Sequence, residues 1–220
     1  MSVWNSEKKA VLEAAQQMAQ KGLVVGTSGN VSMRISEPGG RQLLAITPNN
    51  RYYDLLDVDD IGIVDFEGEC VEGELTASIE TMLHIGIYRA RTKVNAVIHT
   101  HPVFGSILSV IGAEIPPILD DQVTYLGGEI KVTEYSLPGS QELVENVVPA
   151  LGPRNAVILA NHGTVTVGRD MREAFTNCEM LEKTARIYIY ALGAGKINPL
   201  PTDALEMEKA YFDYLHGEGS

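Results

Sequence analysis

Three of the chain's five histidines fall in two matching stretches, NAVIHTHP (Asn95–Pro102) and NAVILANHG (Asn155–Gly163). Residues two apart on a strand point to the same face, so His99 and His101 present two imidazoles side by side at one strand end. His162 ends a similar strand, and Gly163 after it allows a tight turn that aims the third ring back toward the pair. Three imidazoles with one position open are the make-up of a catalytic zinc site. Manganese and cobalt accept the same ligands. The competing reading is polar residues at the rim of a sheet. The sequence contains neither His-Glu-x-x-His nor Gly-x-Ser-x-Gly, which argues against an ordinary zinc protease and a serine hydrolase.

Proton chemistry at such a site also needs a carboxylate. Glu80 is the candidate, read as lying in the first turn of a helix, where the backbone dipole favours an anion. The alternative is a first-turn acid with no other role. His84 is one helical turn further on and reads as a packed, hydrogen-bonded residue rather than a fourth imidazole ligand.

The elements that must position these groups follow from periodicity. The apolar stripe Val11, Ala14, Ala15, Met18 predicts a helix from about Ser6 to Gly22. The turn GTSGN (Gly26–Asn30) follows, then strands at VSMRI and QLLAIT, separated by the turn Glu37-Pro38-Gly39-Gly40. A strand is expected around Ile61–Phe66, a helix over Ser78–Arg91 and a strand at NAVIHTH, closed by Pro102. Next come a helix over Val103–Val110, a strand at EIKVTEY (Glu129–Tyr135), a helix over Ser140–Val148, and strands at NAVILA and VTVG. A long helix opens on Asp170 with Glu173 three residues on and is expected to stop at Gly193. A last helix carries Tyr211, Phe212 and Tyr214. Strands in short-looped pairs with helices between them predict a largely antiparallel sheet covered by helices. The flanks of the two Asn-Ala-Val-Ile stretches share nothing else, so they read as two buried strands rather than a duplication.

Composition narrows the partners. A net charge of −12 argues against nucleic acid. No apolar run is long enough to span a bilayer, and Met1–Glu7 lacks a signal-peptide pattern. A cytoplasmic protein with no membrane partner is the expectation. Cys70 and Cys178 form no CxxC pair and read as reduced thiols. The length suits a single domain across residues 1–220.

In chain order, TSGNVS, ITP, SIETMLH, NAVIHTHP and LANHG resemble the class II aldolase and adducin-head family, whose members include L-fuculose-1-phosphate aldolases and L-ribulose-5-phosphate 4-epimerases. The resemblance runs from about Glu7 to Tyr214. It implies a three-layer α/β/α fold around a mainly antiparallel sheet, and a cyclic homotetramer with active sites between subunits. It implies zinc on His99, His101 and His162, with Glu80 as acid/base and fourth ligand. The family's aldolases carry Glu at this position and its epimerases Asp, so Glu80 favours carbon–carbon cleavage. The adducin branch lacks the histidines.

Gly29, Asn30, Asn49, Asn50 and Ser78 occupy the family's phosphate-binding positions. Two departures stand out: Asn49-Asn50 replaces Thr-Gly, and Ser78-Ile79 replaces Ser-Ser. Asn50 can adopt the left-handed backbone that glycine supplies, whereas Ile79 removes a hydroxyl. Without the resemblance, GTSGN is equally an ordinary turn. Asp121 falls near the family's proton-donating tyrosine; it reads as that donor or as a plain loop acid. Tyr214 matches a tyrosine that reaches a neighbour's site; helix packing is the alternative. The implied activity is a zinc-dependent aldolase that cleaves a ketose phosphate or related sugar and leaves an enediolate. Behind it stand decarboxylation of a 3-oxo sugar-acid phosphate, 4-epimerisation and a non-enzymatic, adducin-like assembly role.

Overall fold

The computed structural model of the chain describes residues 2–37 and 39–217. Seven strands pair antiparallel into one sheet: β1 (Asn30–Ser36), β2 (Gln42–Ile46), β3 (Gly62–Asp65), β4 (Cys70–Glu72), β5 (Ala96–Thr100), β6 (Ala156–Leu159) and β7 (Gly163–Gly168). Their order is β4-β3-β2-β1-β5-β7-β6. Among the described residues seven α-helices accompany them: α1 (Asn5–Gln20), α2 (Thr81–Ala90), α3 (Val103–Ile111), α4 (Asp120–Leu126), α5 (Gln141–Leu151), α6 (Met171–Ala194) and α7 (Thr202–His216).

The period of two along the strands builds the layers. Leu43, Ala45, Ala96 and Ile98 pack with α1 and the start of α6 on one face. Leu44, Ile46 and Val97 pack with α2 and α5 on the other. Both faces are covered, which is why the central strands are apolar on both sides. A third cluster joins α3, α4 and α6 over Ala156 and Ile158. Among the described residues, no helix is long and apolar enough to cross a membrane.

Several boundaries differ from expectation. The helix expected from Ser78 begins at Thr81, because the Ser78 N–H bonds to the Thr47 carbonyl and Ala77 bridges to Pro48. Glu80 is therefore the residue before the first turn rather than within it. EIKVTEY forms no strand of the sheet: Ile130 bridges Ile115 and Val132 bridges Ile158, single contacts that tie it beside β6. Asp120–Leu126, expected as loop, is α4, ended by Gly127 at φ +87°. Strand β4 carried too short a pattern to register. Helix α6 passes through Gly193 to Ala194. Of the turn expected at Glu37–Gly40, Pro38 lies outside the described residues.

Candidate metal centre and active site

His99 lies on β5 in the middle of the sheet and is fully buried. Its Nδ1 is 2.9 Å from the Thr164 carbonyl on β7. A carbonyl only accepts, so Nδ1 carries the proton and Nε2 keeps its lone pair. That lone pair faces Nε2 of His101 at 2.9 Å and Oε2 of Glu80 at 3.2 Å. His101 follows β5, tied down by its own N–H to the Leu23 carbonyl. His162 closes the three-residue turn between β6 and β7, with Nε2 3.5 Å from Glu80 Oε1. The ligand atoms of the three histidines lie within 4.8 Å of one another.

The turn works differently from its expected form. Its left-handed residue is Asn161, at φ +53°, as suits a three-residue hairpin loop. Gly163 is needed for room: a Cβ there would sit 2.4 Å from the Thr100 carbonyl oxygen and 2.7 Å from His101 Cδ2.

Burial lowers all three imidazoles to about 4, neighbouring rings adding to the effect at His101 and His162 and Glu80 opposing it there. Neutral rings expose lone pairs. Glu80 is 4 % exposed, and its Oε1, like Nδ1 of His162, is buried without a hydrogen-bond partner. Three converging rings beside a buried carboxylate oxygen that has no partner fit a divalent cation.

The expected phosphate residues divide. The Asn30 amide is engaged at both ends: Nδ2 donates to Glu80 Oε2 at 2.8 Å, and Oδ1 meets His84 Nε2 at 2.5 Å. Ser78 Oγ accepts from the Glu80 N–H at 3.2 Å and so fixes the backbone that carries the carboxylate. Gly29, at φ +77°, abuts the His99 carbonyl, where a Cβ would come within 2.7 Å. Asn50 does adopt the left-handed backbone, at φ +54°, and its Oδ1 accepts from Thr27, joining two loops. Asn49 is exposed, its N–H bonded to the Thr76 carbonyl.

Asp121 sits in the first turn of α4, ion-paired with Lys183 on α6. Tyr214 is 84 % exposed on α7. Among the described residues, neither bonds to the histidine cluster. Sequence reasoning missed Tyr53, whose hydroxyl holds the Gly29 carbonyl at 2.5 Å; burial pushes its phenol up, so it stays a donor. NNRYYDL carries no signal for that role. His84, read as a packed, hydrogen-bonded residue, is one: it is buried with both ring nitrogens engaged.

Comparison with known proteins follows the same outline. A family model described as "Class II Aldolase and Adducin N-terminal domain" matches residues 9–189. A 5-deoxy-D-ribulose 1-phosphate aldolase of Bacillus thuringiensis is 31% identical over 200 residues, covering 91% of this chain and 92% of its own. An L-ribulose-5-phosphate 4-epimerase of Salmonella paratyphi B is 31% identical over 225 residues, covering 96% and 95%. Among solved structures, an L-fuculose 1-phosphate aldolase superposes with a TM-score of 0.88 at 29% identity, covering 97% of this chain and 98% of that one.

Proposed function

This chain belongs to the class II aldolase and adducin N-terminal domain family, and from that premise we propose that it is a metal-dependent aldehyde-lyase acting on a ketose phosphate. One observation carries the reading: three neutral imidazoles and the free oxygen of a buried carboxylate converge on one point. His99, His101 and His162 would hold a divalent cation, zinc, manganese or cobalt, with Glu80 beside them as acid/base and fourth donor. Bound there, the cation supplies Lewis acidity toward the sugar's carbonyl oxygen and the neighbouring hydroxyl, worth several kcal/mol as the carbon–carbon bond breaks.

The protein's own part centres on Glu80. Asn30 occupies Oε2, which leaves Oε1 to move the proton. Cleavage breaks the bond β to the carbonyl. The electron pair stays on the carbon next to the carbonyl, and Glu80 delivers a proton to that carbon. The departing carbon becomes an aldehyde once its hydroxyl proton passes to a second base; that proton makes good the one Glu80 gives up, so the turnover is proton-neutral. For a ketose 1-phosphate, the substrate form named for the Bacillus relative, the products are a three-carbon ketone phosphate and an aldehyde. Gly29, Asn49, Asn50 and Ser78 would meet the phosphate, through the loops that Tyr53 and Asn50 hold together.

A homotetramer with sites between subunits, the assembly the family resemblance implies, would supply the second base from a neighbouring copy. Neither Asp121 nor Tyr214 meets the histidines within one chain, while Tyr214 projects fully from α7. Val103, Ile107, Val110 and Ile111 leave an apolar face exposed along α3, suited to a second copy. Decarboxylation of a 3-oxo acid phosphate is the runner-up, favoured by the Lys183 pairing of Asp121, because losing carbon dioxide needs no aldehyde-side base.

The test is product analysis on ketose 1-phosphates and 3-oxo acid phosphates with zinc supplied. Aldehyde release that chelation abolishes supports the reading; carbon dioxide release or inversion at C4 without aldehyde refutes it. Replacing Glu80→Gln should leave the cation bound and stop proton exchange into the ketone product. Exchange at the parent rate would remove Glu80 from its role.

A further inference from the structure

Behind Glu80 runs a line of buried side chains that reaches from the site into the core. Asn30, Ser32, His84 and Tyr88 are 3 %, 0 %, 0 % and 0 % exposed. Asn30 Nδ2 donates to Glu80 Oε2 at 2.8 Å, Asn30 Oδ1 meets His84 Nε2 at 2.5 Å, His84 Nδ1 meets Ser32 Oγ at 2.6 Å, and Ser32 Oγ meets Tyr88 OH at 2.7 Å. Each link is short and none is open to water.

Donor and acceptor roles along this line follow from its end. An ionised carboxylate only accepts, so the Asn30 amide must turn its NH2 toward Glu80 and its oxygen toward His84. That oxygen also only accepts, so His84 Nε2 carries the ring proton. A neutral ring then has a bare Nδ1, which takes the Ser32 hydroxyl proton. Ser32, having spent its own proton, accepts from Tyr88. Burial keeps the His84 ring neutral, at about 3, and pushes the Tyr88 phenol up, so both stay in the required forms. One sense of donation runs from Tyr88 to the bare nitrogen of His84, and a second from His84 through Asn30 to the carboxylate.

The reverse arrangement fails at once. If His84 carried its proton on Nδ1, its bare Nε2 would face the Asn30 oxygen, two acceptors at 2.5 Å. Turning the amide to cure that would set its oxygen against Glu80 Oε2. The tautomer, the amide and the carboxylate oxygen that stays free are therefore fixed together.

We propose that His84 is a positioning residue for the reaction: through Asn30 it pins Oε2 of Glu80, so that Oε1 alone is presented to the substrate carbon. The assignment rests on the reading of Glu80 as the proton-moving group. It follows from the strand–helix geometry, since Asn30 and Ser32 lie two apart on one face of β1, and His84 and Tyr88 lie four apart on one face of α2. The two pairs meet side by side.

The experiment follows deuterium exchange into dihydroxyacetone phosphate, the three-carbon ketone that cleavage of a ketose 1-phosphate would leave, by zinc-loaded protein. His84→Phe should lower the exchange kcat by about 10–100-fold with KM and zinc content unchanged, the range expected when a group supporting a site residue is lost. His84→Gln, which can still donate to Asn30, should recover most of it. Ser32→Ala, which removes the hydroxyl that anchors the ring at Nδ1 but keeps the Asn30 contact that fixes its tautomer, should give a smaller fall of the same kind. In the unloaded parent protein, nitrogen-15 spectra should show His84 protonated at Nε2 and bare at Nδ1. The opposite tautomer overturns the proposal, as does a kcat untouched in His84→Phe, or one that falls as far in His84→Gln as in His84→Phe, while Glu80→Gln is inactive. Exchange that survives in Glu80→Gln overturns the reading of Glu80 itself, and the proposal with it.

Discussion

Replacing Gly163→Ala adds one methyl group at the start of β7, and its consequences can be worked from two distances. The new carbon would lie 2.4 Å from the Thr100 carbonyl oxygen and 2.7 Å from His101 Cδ2. Ordinary contact begins near 3.4 Å, so the neighbours must retreat by roughly 1 Å. Thr100 cannot retreat alone, because its backbone is paired to Thr164 across β5 and β7. The strain therefore falls on the ladder and on the His101 ring. Overpacking of this kind costs about 1–3 kcal/mol, a fall in Tm of roughly 2–12 °C for a chain of this size. A ligand displaced by that distance leaves the narrow range in which a metal bond forms, so zinc affinity should drop by about 10–100-fold. Gly193→Ala supplies the control. Nothing lies within 4 Å of a Cβ there and α6 runs through it, so the same change should stabilise by about 0.4–1 kcal/mol. Thermal unfolding in a chelator and calorimetric titration of zinc into stripped protein read both effects. A Gly163→Ala protein that melts with the parent and binds zinc as tightly would refute the packing argument.

Acid stability should depend on Glu173. Burial opposes its ionisation, but hydrogen bonds from His216 and Arg169 outweigh burial and hold it at about 2, against an ordinary value of 4.5. A carboxyl lowered on folding contributes stability above its unfolded value and loses it as pH falls toward the folded one. The parent should therefore weaken between about pH 4.5 and pH 2, and Glu173→Gln should show a shallower slope in acid unfolding over that window; equal slopes would contradict the assignment. For the assembly, Val110→Glu places a charge on the exposed α3 face, where one subunit has nothing to lose. Sedimentation should show the parent at four times the mass of the variant, with the variant's fold unchanged by circular dichroism; a parent that sediments as a monomer would end the tetramer proposal.

The sequence reveals most where periodicity and chemistry coincide. NAVIHTHP shows a strand, two like-facing imidazoles and a stop in eight residues, and the structure places both rings beside His162. Long helices with caps, such as α6 behind Asp170, were legible because their hydrogen bonds are local. What escaped depends on distant partners. EIKVTEY has strand composition, yet Ile158 satisfies only part of it, and no local rule says how many partners a strand will find. Glu80 looked like a first-turn acid because the tie between Ser78 and Thr47, thirty-one residues apart, is invisible in the local pattern. Asn30 sits at the end of a glycine-rich turn, and nothing in that pattern shows that its amide is held by a glutamate and a histidine fifty or more residues away.

The placement of the site also explains why so few residues can do so much. β1, β5 and β7 are neighbours at the centre of the sheet. Asn30 lies opposite His99, and Thr100 opposite Thr164, so adjacent rows of three strands supply the amide that holds Glu80, the His99 imidazole and the carbonyl that sets its tautomer, with His101 one residue beyond β5. Ladder hydrogen bonds fix these rows before any ion or substrate arrives. The cost is that three rings and a carboxylate are crowded together so that lone pairs repel, with Glu80 Oε1 left without a partner. A bound divalent cation would remove that repulsion, and only in the folded chain, because the unfolded one spreads the same donors over more than eighty residues of sequence from Glu80 to His162. Metal affinity and folding stability are thereby coupled through the same strands, and the substitutions that loosen one should loosen the other.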